Sequence, residues 1–203
     1  MNVLILGIVP SPLSPILKEN GCFTIETDTK IEINYLYMNS IDFIISYRYR
    51  YIIKKPIIEY VRENIINLHI SLLPWNRGAD PNLWSFLENT PKGCTIHYLD
   101  EGVDTGDIIA QKKIVFESES ETLATTYKKL NDELVKLFRK EWPHIMHGDI
   151  KRIKQAQGGS FHRLKDKIKY EYLLDKKGWD TEVKGLKGKA LEDRVIRKNE
   201  NHY

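Results

Sequence analysis

The sequence predicts an α/β protein built on a mainly parallel central sheet. Short apolar runs of strand length recur along the chain, helical segments separate them, and the first run lacks the apolar–polar alternation of a half-solvated strand. At 203 residues with 41% hydrophobic content, the chain is long enough for one core of ordinary domain size, about 100–200 residues.

The elements follow in order. Val3-Leu4-Ile5-Leu6-Gly7-Ile8-Val9, closed by Pro10-Ser11-Pro12, reads as a strand buried on both faces. Ser14 to Glu19 is a short helix stopped by Asn20-Gly21. Cys22–Ile25 and Asp42–Tyr47 are the second and third strands, and Pro56–Asn64 is a helix with proline near its start. Ile65–Ile70 is the fourth strand, Gly93–Leu99 the next, and Ile108–Gln111 follows it. Leu123, Tyr127, Leu130, Leu134, Leu137 and Phe138 recur at helical spacing, so 123–139 is an amphipathic helix. From Lys151 the character changes: Gly158-Gly159-Ser160 punctuates the chain and lysines accumulate, the pattern of a solvated face. The chain is therefore divided into a main domain, 1–150, and a short C-terminal extension, 151–203. Its last stretch, 184–203, is either a terminal helix or a loose tail.

Composition excludes several classes of function. With 31 Lys+Arg against 28 Asp+Glu the net charge is only +3, which argues against a nucleic-acid partner. Two cysteines, Cys22 and Cys94, are too few for a disulfide framework, and Cys94 reads as a small buried hydrophobe. No run approaches the roughly 18 apolar residues of a membrane span. The N-terminus carries neither a basic n-region nor a small-residue cleavage site, so a cytoplasmic protein is expected. No G-x-G-x-x-G follows the first strand, and two prolines occupy the loop where a dinucleotide cradle needs free N–H groups.

The chemistry-bearing segment is Asn67 to Pro81. Asn67 and His69 lie two apart on a strand, so both leave the same face near its end, where open α/β sheets bind ligands. An amide can donate to an oxygen that becomes anionic, and an imidazole can move a proton near neutral pH. Downstream, the acid- and glycine-rich loop Asp100–Asp107 can supply a carboxylate to orient the histidine. Two other readings stand beside this one: satisfied structural polars for the pair, and a cation loop for the acids. The loop lacks the spacing and closing glutamate of a calcium loop. His144 and His147 have no acids or cysteines at ligand spacing, so no metal is expected.

Asn67-x-His69-x-Ser71-Leu72-Leu73-Pro74, Arg77-Gly78, Gly93-x-Thr95-x-His97 and Val103-Asp104-x-Gly106-x-Ile108-x-x-Gln111, in this order, resemble the N10-formyltetrahydrofolate-dependent formyltransferase family. The resemblance implies a Rossmann-like formyltransferase fold and a catalytic trio of Asn67, His69 and Asp104. It implies N10-formyltetrahydrofolate as formyl donor, no metal, and a folate pocket on Tyr49, Arg50, Ile52, Tyr98, Asp100 and Val103. The run Trp75–Trp84 and the later Gly159–Asp166 resemble the branch acting on nucleotide-linked amino sugars, such as dTDP-4-amino-4,6-dideoxyhexoses of lipopolysaccharide pathways. That branch implies acceptor contacts from Trp75, Asn76, Arg77, Phe161, His162 and Arg163. Glycinamide ribonucleotide and methionyl-tRNA remain the alternative acceptors. The ribotide enzymes carry a glycine-rich first loop, and 151–203 is short for a tRNA-reading domain. A catalytically silent binding module is the further alternative. The N-terminal half is abbreviated relative to longer family members, which admits a homodimer that supplies the missing walls.

Overall fold

The computed structural model describes residues 1–116 and 120–192. The described residues form two compact units. The first takes Met1–His69, Thr95–Lys112 and Asp132–Gln155, and the second takes Ile70–Cys94, the described part of Lys113–Asn131, and the described residues from Ala156 on.

The α/β expectation is met. A six-stranded sheet runs β2-β1-β3-β4-β6-β7, with β1 Asn2–Gly7, β2 Phe23–Thr27, β3 Phe43–Tyr47, β4 Ile65–His69, β6 Gly93–Tyr98 and β7 Ile108–Lys113. β1 lies parallel to β2 and β3, β3 parallel to β4, and β4 antiparallel to β6. The first strand ends at Gly7, and Ile8 and Val9, read as part of it, are 36% and 52% exposed. As far as Leu6 the run behaves as its composition demands: Val3, Leu4, Ile5 and Leu6 are all at most 1% exposed, covered on both faces. Each such side chain contributes about 1.5–3 kcal/mol by leaving water.

Local chemistry places the helices of the first unit. α1 (Ser14–Glu19) carries Pro15 in its first turn, where the missing N–H has no intrahelical role. α3 (Lys55–Val61) starts the same way at Pro56 and ends earlier than Asn64, because Arg62 turns to φ 52°. α2 (Ile33–Met38) has no counterpart in the sequence reading; it buries only Leu36, too little periodicity to announce a helix. α1 to α3 and the strands enclose a core of Leu4, Leu6, Leu36, Ile44, Ile57 and Ile65. α5 (Leu123–His147) runs past Arg139, carried across Pro143 by Trp142, which is fully buried edge-on to Phe43 with centroids 5.2 Å apart.

In the second unit, α4 (Pro81–Leu87) follows Asp80, and Leu83, Trp84 and Leu87 pack with Leu123, Tyr170 and Leu186. β5 (Arg77–Gly78) and β8 (Phe161–His162) pair in parallel as a small second sheet. The C-terminal stretch coils as 3-10 turns over Leu164–Leu173, Asp175–Asp180 and Val183–Gly185. The part of the 184–203 reading beyond Glu192 lies outside the described residues. No helix among the described residues is long and apolar enough to cross a membrane.

Candidate active site

The site is assembled by β4, β6 and the loop that follows β6. Alternation along β4 places Asn67 and His69 on one face. The antiparallel register then sets His97 opposite Asn67 and Thr95 opposite His69. Asp104 comes from the loop between β6 and β7, and its own backbone is left-handed, with φ 54°. The trio implied by the resemblance is thus brought together within the first unit.

Asp104 is the hub. Its Oδ1 accepts a hydrogen bond from Asn67 Nδ2 at 3.1 Å, and its Oδ2 stands 3.7 Å from His69 Nδ1. The second distance suits an electrostatic pair and exceeds that of a direct hydrogen bond. His69 is 7% exposed, so little water screens its pairing with Asp104.

His97 completes the cluster, although the sequence reading assigned it no role. Its Nδ1 lies 2.8 Å from the Tyr98 carbonyl and must donate there, which leaves Nε2 as an acceptor for Asn67 Nδ2 at 3.2 Å. The Asn67 amide is therefore held with its nitrogen toward both His97 and Asp104. Asp104 Oδ1 is also 3.4 Å from His97 Nε2. The signal for His97 was its place in the Thr95-x-His97 alternation. Its partner depends on strand register, which the sequence does not show.

The Asp100–Asp107 loop is built for a fixed shape. Asp100 Oδ1 accepts from the Gly102 N–H at 3.0 Å and from Thr105 Oγ1 at 2.6 Å, closing a tight turn. At Gly106 a Cβ would lie 1.8 Å from the Tyr98 carbonyl oxygen, so no larger residue fits. Gln155 Nε2 donates to the carbonyls of Asp104 and Gly106, both at 2.8 Å, and pins the loop from outside.

Among the residues implied for the folate, Tyr49, Arg50 and Ile52 lie on the loop after β3, and Tyr98, Asp100 and Val103 lie on β6 and its loop. Ile52 and Val103 are 81% and 43% exposed, apolar surfaces of the kind a flat heteroaromatic covers. The Tyr49 hydroxyl is engaged otherwise: it donates to Thr29 O at 2.9 Å and accepts from the Ile31 N–H at 3.2 Å. Its burial pushes the phenol pKa up.

The residues implied for the acceptor lie in the second unit. Trp75 and Phe161 stand partly in solvent, at 36% and 47% exposed. Asn76 is fully buried. Its backbone N–H donates to Ser160 Oγ and its side-chain amide to Thr90 Oγ1. Arg77 donates its backbone N–H to Ser160 O. His162 is buried, stacked on Trp84 with centroids 3.7 Å apart, its Nε2 3.2 Å from Glu88 Oε2. Arg163 starts the following 3-10 turn, its N–H bonded to Asp166 Oδ2 at 2.7 Å. Among the described residues, no three His, Cys, Asp or Glu side chains converge as metal ligands.

Fold and site together define the class: a Rossmann-like α/β domain with an amide, an imidazole and a carboxylate meeting at the ends of its central strands. The chain belongs to the formyl transferase family, whose model matches residues 15–140. It is similar to the formyltransferase PseJ from Anoxybacillus kamchatkensis, crystallised with UDP-4,6-dideoxy-4-formamido-L-AltNAc and tetrahydrofolate. Identity is 50% and the TM-score 0.89, covering 94% of this chain and 100% of that one. A 4-N formyltransferase from Francisella tularensis shares the fold at 23% identity and TM-score 0.68, over 81% of this chain and 77% of that one. The methionyl-tRNA formyltransferase of Prochlorococcus marinus (strain MIT 9515) is 33% identical over 177 residues, covering 83% of this chain and 52% of that protein. The chain spans about half the length of this relative, and 37% of the Bacillus cytotoxicus enzyme of the same name.

Proposed function

We propose that the protein transfers a formyl group from N10-formyltetrahydrofolate to the amine of a nucleotide-linked amino sugar. The observation that carries the reaction type is the convergence of Asn67 Nδ2 and His69 Nδ1 on the Asp104 carboxylate, at 3.1 and 3.7 Å. Support for the acceptor is the similarity to PseJ along nearly the whole chain, which favours a 4-amino-4,6-dideoxy sugar carried on UDP.

The folate is a substrate here, supplying a formyl group already activated on an arylamine nitrogen. The exposed Ile52 and Val103 would hold its flat ring. Asn67, whose two N–H groups face His97 and Asp104 in this structure, turns one of them to the formyl oxygen as negative charge develops there. One such donor is worth on the order of 3 kcal/mol. His69 takes the proton of the attacking amine, and Asp104 stabilises the imidazolium that forms. One C–N bond forms at the acceptor, the donor's C–N bond breaks, and the proton passes to the departing nitrogen. His97 and Gln155 act through others: His97 orients the Asn67 amide, and Gln155 holds the loop that carries Asp104.

The same reading takes 1–150 as the catalytic domain with 151–203 as its extension, in a cytoplasmic homodimer that feeds lipopolysaccharide-type glycoconjugates. Tetrahydrofolate release, followed by absorbance, tests it. Turnover is expected with a UDP-linked 4-amino-4,6-dideoxyhexose and not with glycinamide ribonucleotide or methionyl-tRNA. Turnover confined to either of the last two would overturn the acceptor.

A further inference from the structure

The strand order β2-β1-β3-β4 places a topological switch point between β1 and β3, because the chain leaves β1 toward β2 and then returns across it to β3. In open α/β sheets a ligand crevice opens at such a point, outside the carboxyl ends of the strands. Here that position holds a cavity of about 180 Å³ lined by Gly7, Ile8, Asp28, Arg48, Tyr49 and Arg50. Whole-ligand pockets run to roughly 300–1,000 Å³, so this cavity suits one segment of a larger ligand.

Its walls are constructed. Gly7 has φ +130°, and a Cβ there would meet the Tyr47 carbonyl oxygen at 1.8 Å, so glycine alone lets the ends of β1 and β3 close together. Arg48 adopts φ 61°, a left-handed conformation uncommon outside glycine and concentrated at functional sites. Tyr49 clamps the segment after β2 through Thr29 O and the Ile31 N–H, fixing where the neighbouring Asp28 stands. Arg48 continues β3 from Tyr47, which pairs with Leu68, so the cavity sits one strand away from His69. Adjacent strands are about 4.8 Å apart.

Asp28 is exposed and forms no ion pair or hydrogen bond within the described structure, despite two arginines lining the same cavity. It immediately follows β2 and lies 21 residues beyond Gly7 (28 − 7). An acid at this place in a Rossmann-like sheet, about 20 residues after the first strand, accepts hydrogen bonds from a ribose diol. The arginines supply the donors that a diphosphate requires.

We propose that Asp28 reads the 2′- and 3′-hydroxyls of the acceptor's ribose while Arg48 and Arg50 hold its diphosphate, making Asp28 a selector of ribo- over deoxyribonucleotide sugars. The proposal rests on the nucleotide-sugar reading above and narrows it, since dTDP-linked sugars lack the 2′-hydroxyl. Hydrogen bonds to a charged group discriminate by about ten- to a hundredfold.

Calorimetric titration of UDP and 2′-deoxy-UDP measures this without any formyl transfer. The parent protein is expected to bind UDP at least tenfold more tightly than the deoxy form. Asp28→Ala should bring that ratio close to one, and Arg50→Gln should weaken both ligands by the same factor. Asp28 lies on an exposed loop, so the variant should melt with the parent. Equal affinities in the parent, or a ratio unchanged by Asp28→Ala, would overturn the proposal even if formyl transfer to UDP-sugars is intact. Discrimination that depends on Asp28, without transfer to any nucleotide-linked amine, would uphold it and remove the reaction assignment instead.

Discussion

Replacing Asp104 by asparagine removes one negative charge and little else. The asparagine oxygen still accepts from Asn67 Nδ2, and asparagine tolerates the left-handed backbone that Asp104 adopts. What disappears is the attraction for His69 when it carries the amine proton. At 3.7 Å and an effective dielectric constant of about 20, that attraction is roughly 4 kcal/mol. If it is realised as the imidazolium forms, turnover should fall about a thousandfold. Substrate binding should change far less, because the charge pair arises only during transfer. The assay is tetrahydrofolate release under saturating acceptor, with thermal melting run in parallel. A variant that melts with the parent and keeps turnover within tenfold would refute the role given to Asp104.

Three further outcomes follow from the geometry. Gly106→Ala should destabilise the chain and disorder the catalytic loop, because its Cβ would lie 1.8 Å from a backbone carbonyl; an unchanged urea midpoint would contradict this packing. Gln155→Ala removes two hydrogen bonds worth about 0.5–1.5 kcal/mol each and should lower turnover through Asp104's position, which initial rates alongside melting would separate from simple instability. Burial lowers the Lys92 ammonium to about 8 from 10.5. The cost of that buried charge is fully present below pH 8 and is relieved between pH 8 and 10.5, where the folded chain sheds a proton that the unfolded chain keeps. Parent stability in urea should therefore rise relative to Lys92→Met across that window, and parallel pH curves would refute it.

Much of this molecule was legible in its sequence. The run Val3–Leu6 announces a strand buried on both faces by composition alone, because only a sheet covered on each side accommodates unbroken apolar residues. Proline near the start of α1 and α3 marks those helices through local backbone chemistry. Asn67, His69 and Asp104 were identifiable because their loop and strand signatures recur in order. Other features escaped for stated reasons. α2 buries one side chain and leaves no periodic trace. His97 belongs to the cluster only because β6 runs antiparallel to β4 in a register that pairs it with Asn67. Gln155 lies 51 residues from Asp104, and only the folded chain brings the two together.

By itself, then, the sequence determined the α/β class, the strand that presents Asn67 and His69 on one face, and the loop from which a carboxylate would come. These are properties of short segments, set by side-chain period and backbone preference. The tertiary structure decided how the groups meet: the turn of the Asn67 amide toward His97, the seating of the Asp104 loop under Gln155, and the gathering of Asp28, Arg48 and Arg50 around one cavity. Such contacts join residues tens of positions apart. Their distances depend on strand order and register, which many compatible sequences share and no local pattern encodes.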